Sequence, residues 1–412
     1  MGIRHVFLIE GARTAFGEFG GSFKEVSAIE LATASAIKAL EKANVTAEEV
    51  DQVVIGNVIQ SSADAIYMGR HVGLKSGVPK HVPGLTVNRL CGSGLQSIVN
   101  ASQSIMLGES DLALAGGAEN MSQVPHVIRG ARWGIPLGKA PMEDYLWESL
   151  YDPYGDCTMA ITAENLASQY GITREQVDAF AVRSHDRAQA AIDNGRFAEE
   201  IVPYTILGRK ESVVVDRDEH PRPTTLETLA KLPARFTKDG VVTAGNASGI
   251  NDGAAVTVVA SEEYVKRRNL KPLARLVSWG IVGVEPKIMG IGPVMAIRQA
   301  LHKAGMTIKD LDLIEINEAF AAQYLACQKE LDFDPEIGNV NGGAVALGHP
   351  LGASGARITL SLLYELRRRN KKNMAFLLYA SAEVKGLQPF GSGCNPPFSI
   401  ERMNISHGSR LN

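Results

Sequence analysis

The sequence predicts an α/β fold made of two copies of one unit, with a segment of different composition inserted between them. The first observation is an alternation of strand-like and helix-like patterns. Residues 5–10 and 51–56 have the apolar character of buried strands, and residues 29–43 have the periodicity of an amphipathic helix. From this alternation we expect mainly parallel strands.

The second observation is an internal repeat at a constant offset of 261 residues. Three separated pairs of segments share this offset: Ala39–Thr46 with Ala300–Thr307, Val53 and Ile55 with Ile314 and Ile316, and Leu90–Gly94 with Leu351–Gly355. Strand–helix units resemble one another in general, but a general resemblance would not preserve one spacing. The repeat therefore indicates two copies of the same unit, packed together.

The third observation is the composition of residues 121–249, which are rich in proline, glycine, tryptophan and charged residues. Within them, Thr173–Gln176 is typical of a capping box that begins a helix. Segments of this length are usually functional. The predicted division is a first half at 1–120 that continues at about 250–270, a substrate-binding loop domain at 121–249, and a second half at 271–412 whose residues 373–412 are atypical.

Composition excludes several classes of protein. The chain has 412 residues, 45% of them hydrophobic and 21% charged, as in globular proteins. A net charge of −3 argues against nucleic acid or an anionic membrane as a partner. No apolar run approaches the roughly 20 residues that span a bilayer, and no signal peptide is recognisable, so we expect a cytoplasmic protein.

The cysteines and glycines bear on whether the protein has disulfides, a metal site or a nucleotide cofactor. The four cysteines are few and widely separated, which argues against a disulfide framework or a metal site: Cys91, Cys157, Cys327 and Cys394. No complete dinucleotide-binding or phosphate-binding glycine motif follows a predicted strand. We therefore expect neither a metal nor a nucleotide cofactor.

Cys91 is the candidate nucleophile. An apolar run at 85–87 leads into Leu90-Cys91-Gly92-Ser93-Gly94, and a helical pattern follows. At such a strand-to-helix turn, the helix dipole and free N–H groups favour a thiolate, so we expect a lowered pKa for the thiol. The alternative is that Cys91 is a small buried apolar residue.

His349 is the candidate activating base. It precedes the equivalent turn of the second copy, so two halves related by pseudo-symmetry would bring it and Cys91 to one face. A histidine before proline could also be structural. Asn317 and Glu318 follow the predicted strand 313–316, at the end where α/β proteins gather functional groups.

Five motifs closely resemble those of the thiolase family over about residues 4–372: 88–94, 116–122, 244–253, 317–321 and 348–355. The resemblance implies the thiolase fold, with two βαβ-type halves in a layered α/β/α/β/α core and an inserted loop domain. It also implies thiolytic cleavage of 3-ketoacyl-CoA and the reverse Claisen condensation. Cys91 would carry the acyl group, His349 would activate it, and Asn317, through a water, would share an oxyanion site with His349.

The resemblance also implies the substrate contacts. Ser248 would lie along the pantetheine arm of CoA, Arg222 near its nucleotide phosphates, and Met289 and Phe320 along the acyl pocket. Met289 and Phe320 could instead be core residues, and Arg222 a solvated charge. The implied partners are acyl-CoA molecules, with CoA as substrate or product, and a second copy of the chain in a homodimer or homotetramer.

Two details bear on which type of thiolase the chain resembles. Thr158 stands where short-chain biosynthetic members tend to carry histidine, and together with residues 61–67 it favours the degradative, 3-ketoacyl-CoA type. The motif at 317–321 and the single active-site histidine argue against a related decarboxylating ketoacyl synthase.

The C-terminus departs from the family. Thiolases end with a strand carrying Cys-Ile-Gly-Gly-Gly, whose cysteine is the second acid/base, but 373–386 contain no cysteine. Reading one base out of phase, with synonymous codons chosen freely, Tyr379–Gly386 can encode Cys-Ile-Gly-Gly-Gly-Gln-Gly. We therefore predict a one-nucleotide frameshift near Lys372. The alternatives are a true variant with another acid/base, or a catalytically impaired acyl-CoA-binding homologue.

Overall fold

A computed structural model describes residues 4–208, 211–371, 374–378 and 383–388. The α-helices are α1 (Ala28–Ala43), α2 (Met68–Lys75), α3 (Ser93–Leu107), α4 (Tyr145–Ser149), α5 (Met159–Tyr170), α6 (Arg174–Asp193), α7 (Leu226–Ala230), α8 (Glu262–Arg268), α9 (Gly292–Ala304), α10 (Ala321–Leu331), α11 (Ala344–Leu347) and α12 (Leu351–Arg369).

The strands are β1 (Val6–Arg13), β2 (Gly17–Glu18), β3 (Gln52–Gly56), β4 (Gly84–Val87), β5 (Leu112–Asn120), β6 (His126–Val127), β7 (Glu143–Asp144), β8 (Tyr151–Asp152), β9 (Cys157–Thr158), β10 (Tyr204–Leu207), β11 (Ser212–Val215), β12 (Asn251–Ser261), β13 (Ala274–Ser278), β14 (Leu313–Ile316), β15 (Met374–Leu378) and β16 (Glu383–Gln388). The predicted strands near 5–10 and 51–56 and the predicted helix at 29–43 agree with β1, β3 and α1.

Ten strands form one sheet, in which β1, β12, β5, β3 and β4 belong to the first half and β13, β16, β15 and β14 to the second, with β2 paired to β12. The halves join where β1 pairs with β13, from Val6 opposite Leu276 to Leu8 opposite Ala274. Strand β15, which lies in the atypical C-terminal segment, pairs with β14. Residues 372–373, 379–382 and 389–412, which include most of the predicted frameshifted tail, lie outside the described residues.

The expectation of mainly parallel strands was wrong, because the sheet is mixed. Strands β3–β4, β3–β5 and β14–β15 pair in parallel, whereas β12 runs antiparallel to both β1 and β5. The physical reason is the inserted segment. This segment leaves the sheet at the C-terminal end of β5, after Asn120, and returns at Asn251 beside that same end. Strand β12 must therefore run antiparallel to β5.

Three large apolar clusters pack the helices against the sheet. One core lies between α1, α2 and the outer face of the first half of the sheet, and it includes Leu31, Val72 and Ile55. A central core, with Val54, Leu95 and Ile358, surrounds α3 and α12. A third core packs α9 and α10 on the second half, and it includes Ile297, Tyr324 and Ile314. Alternate strand residues therefore face opposite layers.

The structure repeats at the offset seen in the sequence. Helix α1 ends in a left-handed cap at Asn44, and α9 ends in the same conformation at Gly305. A short 3₁₀ helix then follows in each half, capped by Thr46 in the first and Thr307 in the second. The capping box predicted at Thr173 is also present, with Gln176 as its partner at the start of α6.

Across the part of the chain that the structure describes, no helix combines the length and apolar character needed to cross a membrane. Cys91, Cys157 and Cys327 are free thiols.

Candidate active site

Cys91 lies in a strained turn between β4 and α3. The preceding residue, Leu90, has φ of +47°, in the left-handed region that a leucine rarely adopts. Asn88 supports this conformation from both sides: its Oδ1 accepts the N–H of Leu90 at 2.9 Å, and its Nδ2 donates to the carbonyl of Val58 at 2.9 Å. Strain of this kind persists only where the surroundings fix it, as at active sites.

Ser93 closes the same turn. Its hydroxyl accepts the N–H of Arg89 at 2.8 Å and donates to the carbonyl of Leu90 at 2.6 Å. The N–H of Gly92 also donates to the carbonyl of Arg89 at 2.9 Å. The predicted strand-to-helix turn is therefore present, with α3 beginning at Ser93, two residues after the thiol.

The halves meet through glycines at the starts of α3 and α12. A Cβ added to Gly117 would lie 1.8 Å from the carbonyl oxygen of Gly352, and one added to Gly94 would lie 2.6 Å from the same oxygen. Only glycine allows backbones to approach this closely. This contact places the two turns side by side, so that Cys91 and His349 line one cavity, as the repeat predicts.

The hydrogen bonds of His349 define its tautomer. Its Nδ1 lies 2.6 Å from the Oγ of Ser354, whose hydroxyl donates to the carbonyl of Pro350 at 2.9 Å. Because the Ser354 proton is already used, Nδ1–H must be the donor to Ser354, which leaves Nε2 unprotonated, with a lone pair that can accept a proton. The backbone N–H of His349 donates to Asn251 at 3.1 Å, which fixes the loop.

Cys91 and His349 are both neutral in the resting protein. Burial lowers the pKa of His349 to about 3, and the charge of Arg357 acts in the same direction. Burial raises the pKa of the Cys91 thiol to about 12, and the carboxylate of Glu119 adds to the rise. The expectation of a lowered thiol pKa was therefore wrong: desolvation outweighs the backbone hydrogen bond at the turn.

Asn317 lies against the histidine. Its Nδ2 is 3.4 Å from the Nε2 of His349, and the residue is buried at the end of β14. Its Oδ1 is buried without a hydrogen-bond partner among the described protein atoms. A buried acceptor of this kind requires a partner from solvent or ligand.

The cavity has a volume of about 220 Å³. Its walls contain five of the seven sequence-predicted site residues, namely Cys91, Ser248, Met289, Phe320 and His349. Asn317 contacts the cavity through His349. Ser248 and Phe320 belong to adjacent backbone segments, because the Ser248 N–H donates to the carbonyl of Ala319 at 3.0 Å.

Arg222 lies outside this cavity. It is exposed, and its Nη1 lies 3.2 Å from the Nε2 of His220. A Cβ added to Gly249, which lines the cavity, would lie 2.5 Å from the His220 ring. Arg222 is therefore connected to the cavity wall at Gly249 through His220 rather than by direct contact.

Sequence reasoning missed the partner Ser354, the buried Glu119 and most of the cavity walls. The missed wall residues are Met121, Trp147, Leu150, Thr158, Met159, Ala160, Phe236, Ala247, Gly249, Ile250, Ala319 and Leu351. Ser354 and Glu119 lie within quoted motifs, which was an available signal. Met121, Ala247 and Gly249 of the inserted segment also lie within these motifs, and Thr158 was singled out as a mark of thiolase type. The remaining walls of that segment carry no local pattern that distinguishes them from core: Trp147, Leu150, Met159, Ala160 and Phe236.

Comparison with known proteins identifies the family. The model of the thiolase N-terminal domain matches residues 6–263, and that of the thiolase C-terminal domain matches residues 270–384. The chain is 53% identical over 372 residues to the mitochondrial 3-ketoacyl-CoA thiolase of Homo sapiens, covering 90% of this chain and 94% of the human protein. It is 50% identical over 367 residues to beta-ketothiolase BktB of Cupriavidus necator, covering 89% and 93%.

Comparison with solved structures identifies the same family. The crystal structure of the human mitochondrial 3-ketoacyl-CoA thiolase superposes with a TM-score of 0.92 at 50% identity, covering 94% of this chain and 99% of that one. The acetyl-CoA acetyltransferase of Bacillus anthracis gives a TM-score of 0.92 at 46% identity, covering 94% and 99%. The predicted thiolase fold is confirmed, and the chain belongs to the thiolase family.

Proposed function

We propose that this thiolase transfers acyl groups between CoA thioesters through an acyl-Cys91 intermediate, by thiolytic cleavage of 3-ketoacyl-CoA and by the reverse Claisen condensation. One observation carries the residue assignment. Cys91 and the unprotonated Nε2 of a neutral His349 belong to one cavity. A cysteine that was only a small core residue would not share a cavity with an available base.

The first half of the reaction follows from these groups. His349 takes the thiol proton of Cys91 on Nε2, and the thiolate attacks the thioester carbonyl. The tetrahedral oxyanion is stabilised by the His349 imidazolium and a water on Asn317, whose unpartnered Oδ1 supports this role. The C–S bond to CoA then breaks, and the CoA thiolate leaves as a thiol with the proton from His349.

The apolar walls suit an acyl chain and a pantetheine arm. Met289 and Phe320 would contact the acyl chain, and Ser248 the pantetheine, while the exposed Arg222 would meet the phosphates outside the cavity. Thr158 lines the cavity, and its buried hydroxyl has no hydrogen-bond partner among the described protein atoms. Its place there supports the degradative type, which acts on 3-ketoacyl-CoA in fatty acid metabolism. CoA is then substrate or product, and we propose no resident cofactor.

The alternative, a catalytically impaired acyl-CoA-binding homologue, finds no support in the comparisons, whose members are named thiolases and acetyltransferases. Steady-state thiolysis of acetoacetyl-CoA by CoA separates the two, because an impaired homologue would bind both molecules without turnover. Turnover above the uncatalysed rate supports the enzyme, even where the missing second cysteine makes it slow.

The residue assignment has its own test. Intact-mass measurement after incubation with acetyl-CoA should show one acetyl group on the wild type and none on Cys91→Ala. The matched control, Cys157→Ala, replaces a buried thiol outside the cavity and should still be acetylated. An acetylated Cys91→Ala protein, or an unmodified wild type, would refute Cys91 as the acyl carrier.

We also propose that the chain forms a homodimer or homotetramer. Strand β4 lies at one end of the described sheet, where its backbone can pair with another strand. Leu85 on this strand and the nearby Tyr67 and Leu90 are exposed. Leu85→Lys should lower the mass found by sedimentation equilibrium, and an unchanged mass would argue against this edge as the interface. The cytoplasmic location stays a prediction.

A further inference from the structure

Glu119 is a completely buried carboxylate that the proposed reaction does not use. It lies near the end of β5, and both oxygens accept two hydrogen bonds. Oε1 accepts from the side chain of Asn57 at 2.9 Å and from the N–H of Ile59 at 3.0 Å. Oε2 accepts from the N–H of Val58 at 3.0 Å and from the N–H of Gly352 at 2.9 Å. Four donors leave this carboxylate no free site for a substrate proton.

These bonds connect Glu119 to the turn that holds Cys91. The N–H of Val58 donates to Glu119, and the carbonyl of Val58 accepts from Asn88, which holds the strained Leu90. A chain of three hydrogen bonds therefore leads from the carboxylate to Leu90, the residue that precedes the nucleophile.

The same carboxylate is bonded to the other half. Gly352 lies in the first turn of α12, three residues after His349, and its N–H points at Oε2. A carboxylate at a helix N-terminus is favoured by the helix dipole, which stabilises its buried charge. Glu119 thus accepts hydrogen bonds from Val58, which holds the Cys91 turn through Asn88, and from Gly352, which follows the His349 turn.

Glu119 also acts on the thiol through its charge. Its own pKa is raised to about 7 by burial, against the lowering effect of the backbone N–H groups. Its carboxylate raises the pKa of Cys91. The groups that contact Glu119 are the Asn57 amide, the N–H groups of Val58 and Ile59, and the first turn of α12.

We propose that Glu119 is a positioning residue that holds the Cys91 and His349 turns in register. This inference rests on the proposed function, since it concerns acyl transfer to Cys91. A purely structural role would require only that Glu119 stabilise the fold.

Two variants of the full-length chain separate charge from position. In Glu119→Gln, an NH₂ group must face two N–H donors, so two hydrogen bonds are lost together with the charge. We expect the pH midpoint of Cys91 alkylation by iodoacetamide to fall, because a negative neighbour is removed. The maximal rate of Cys91 acetylation by acetyl-CoA should also fall, by about 100-fold, because the two turns move apart. The half-saturating acetyl-CoA concentration should change little.

Glu119→Asp keeps the charge but shortens the reach by one methylene. It should retain the alkylation midpoint and lose acetylation rate. The matched control is Asp51→Asn, whose carboxylate accepts the N–H groups of Asp111 at 2.8 Å and Leu112 at 3.0 Å at the opposite ends of β3 and β5. It should change neither readout, even where thermal unfolding shows a comparable loss of stability.

The inference is overturned if both Glu119 variants acetylate Cys91 at the wild-type maximal rate, or if Asp51→Asn lowers the rate as much as they do. An unchanged alkylation midpoint in Glu119→Gln would show that the charge of Glu119 does not act on the thiol. A wild type that alkylates Cys91 but is never acetylated contradicts the proposed function instead, so the two failures remain distinguishable.

Discussion

Gly94 and Gly355 occupy equivalent positions in the two halves, and they lie in contact at the starts of α3 and α12. A Cβ added to Gly94 would lie 3.4 Å from the nitrogen of Gly355, and 2.6 Å from the carbonyl oxygen of Gly352. The nearest obstacles are backbone atoms, which cannot rotate away. The distance between the Cys91 and His349 turns is therefore set by the absence of a side chain at Gly94.

Gly94→Ala should separate the two turns. We expect destabilisation of about 1–3 kcal/mol, as for other overpacked sites, together with slower acetylation of Cys91. Thermal unfolding and the acetylation rate measure both effects. Gly283→Ala is the control, because a Cβ there meets no atom within 4 Å. Acetylation at the wild-type rate in Gly94→Ala would contradict this role of the glycine.

Ser354→Ala should slow acetylation without preventing folding. Removing the hydroxyl leaves Nδ1–H of His349 without its acceptor, so the tautomer with a basic Nε2 loses its preference. We expect a loss on the order of 10- to 100-fold in the acetylation rate. The control is Thr359→Val on the same helix, whose hydroxyl also donates to the carbonyl four residues back but does not bond to His349. Equal losses in both variants would show a general effect of removing a buried hydroxyl.

His349 should make the protein less stable in acid. Its pKa falls from 6.5 when exposed to about 3 in the fold, so between these values only the unfolded chain binds the proton. This contribution to stability is present above pH 6.5 and is lost as the pH falls. Between pH 8 and pH 5 it amounts to about 2 kcal/mol. Denaturant unfolding of the wild type and of His349→Asn at pH 8 and pH 5 measures this difference in the free energy of unfolding. If both proteins lose the same free energy of unfolding at pH 5, the prediction is wrong.

The reading frame near codon 372 should explain the missing second cysteine. We expect the gene, read one base out of phase, to encode Cys-Ile-Gly-Gly-Gly-Gln-Gly in place of Tyr379–Gly386. A protein made in that frame should turn over about 100- to 10,000-fold faster in steady state, because it regains an acid/base. Its Cys91 acetylation rate should match that of the present chain. Any other nucleotide sequence at this place would eliminate the frameshift.

Sequence alone was sufficient for the repeat, the family and the two catalytic turns. These features are local or periodic: a constant offset survives in the chain, and residues such as Cys91, His349 and Asn317 stand in contiguous motifs. The same is true of the capping box at Thr173, where donor and acceptor are three residues apart. Ser248, Met289 and Phe320 followed from the resemblance.

Only the tertiary structure decided the strand directions, the protonation state of Cys91 and its alignment with His349, because these properties depend on groups that are distant in sequence. The direction of β12 follows from where the inserted segment returns, which no strand pattern records. The raised pKa of Cys91 depends on burial and on Glu119, which outweigh the helix start that the sequence does show. The bond from Glu119 to Gly352 joins residues 233 positions apart. Chemical identity of the nucleophile was thus encoded locally, whereas its protonation state and alignment with His349 arise only where the two halves pack together.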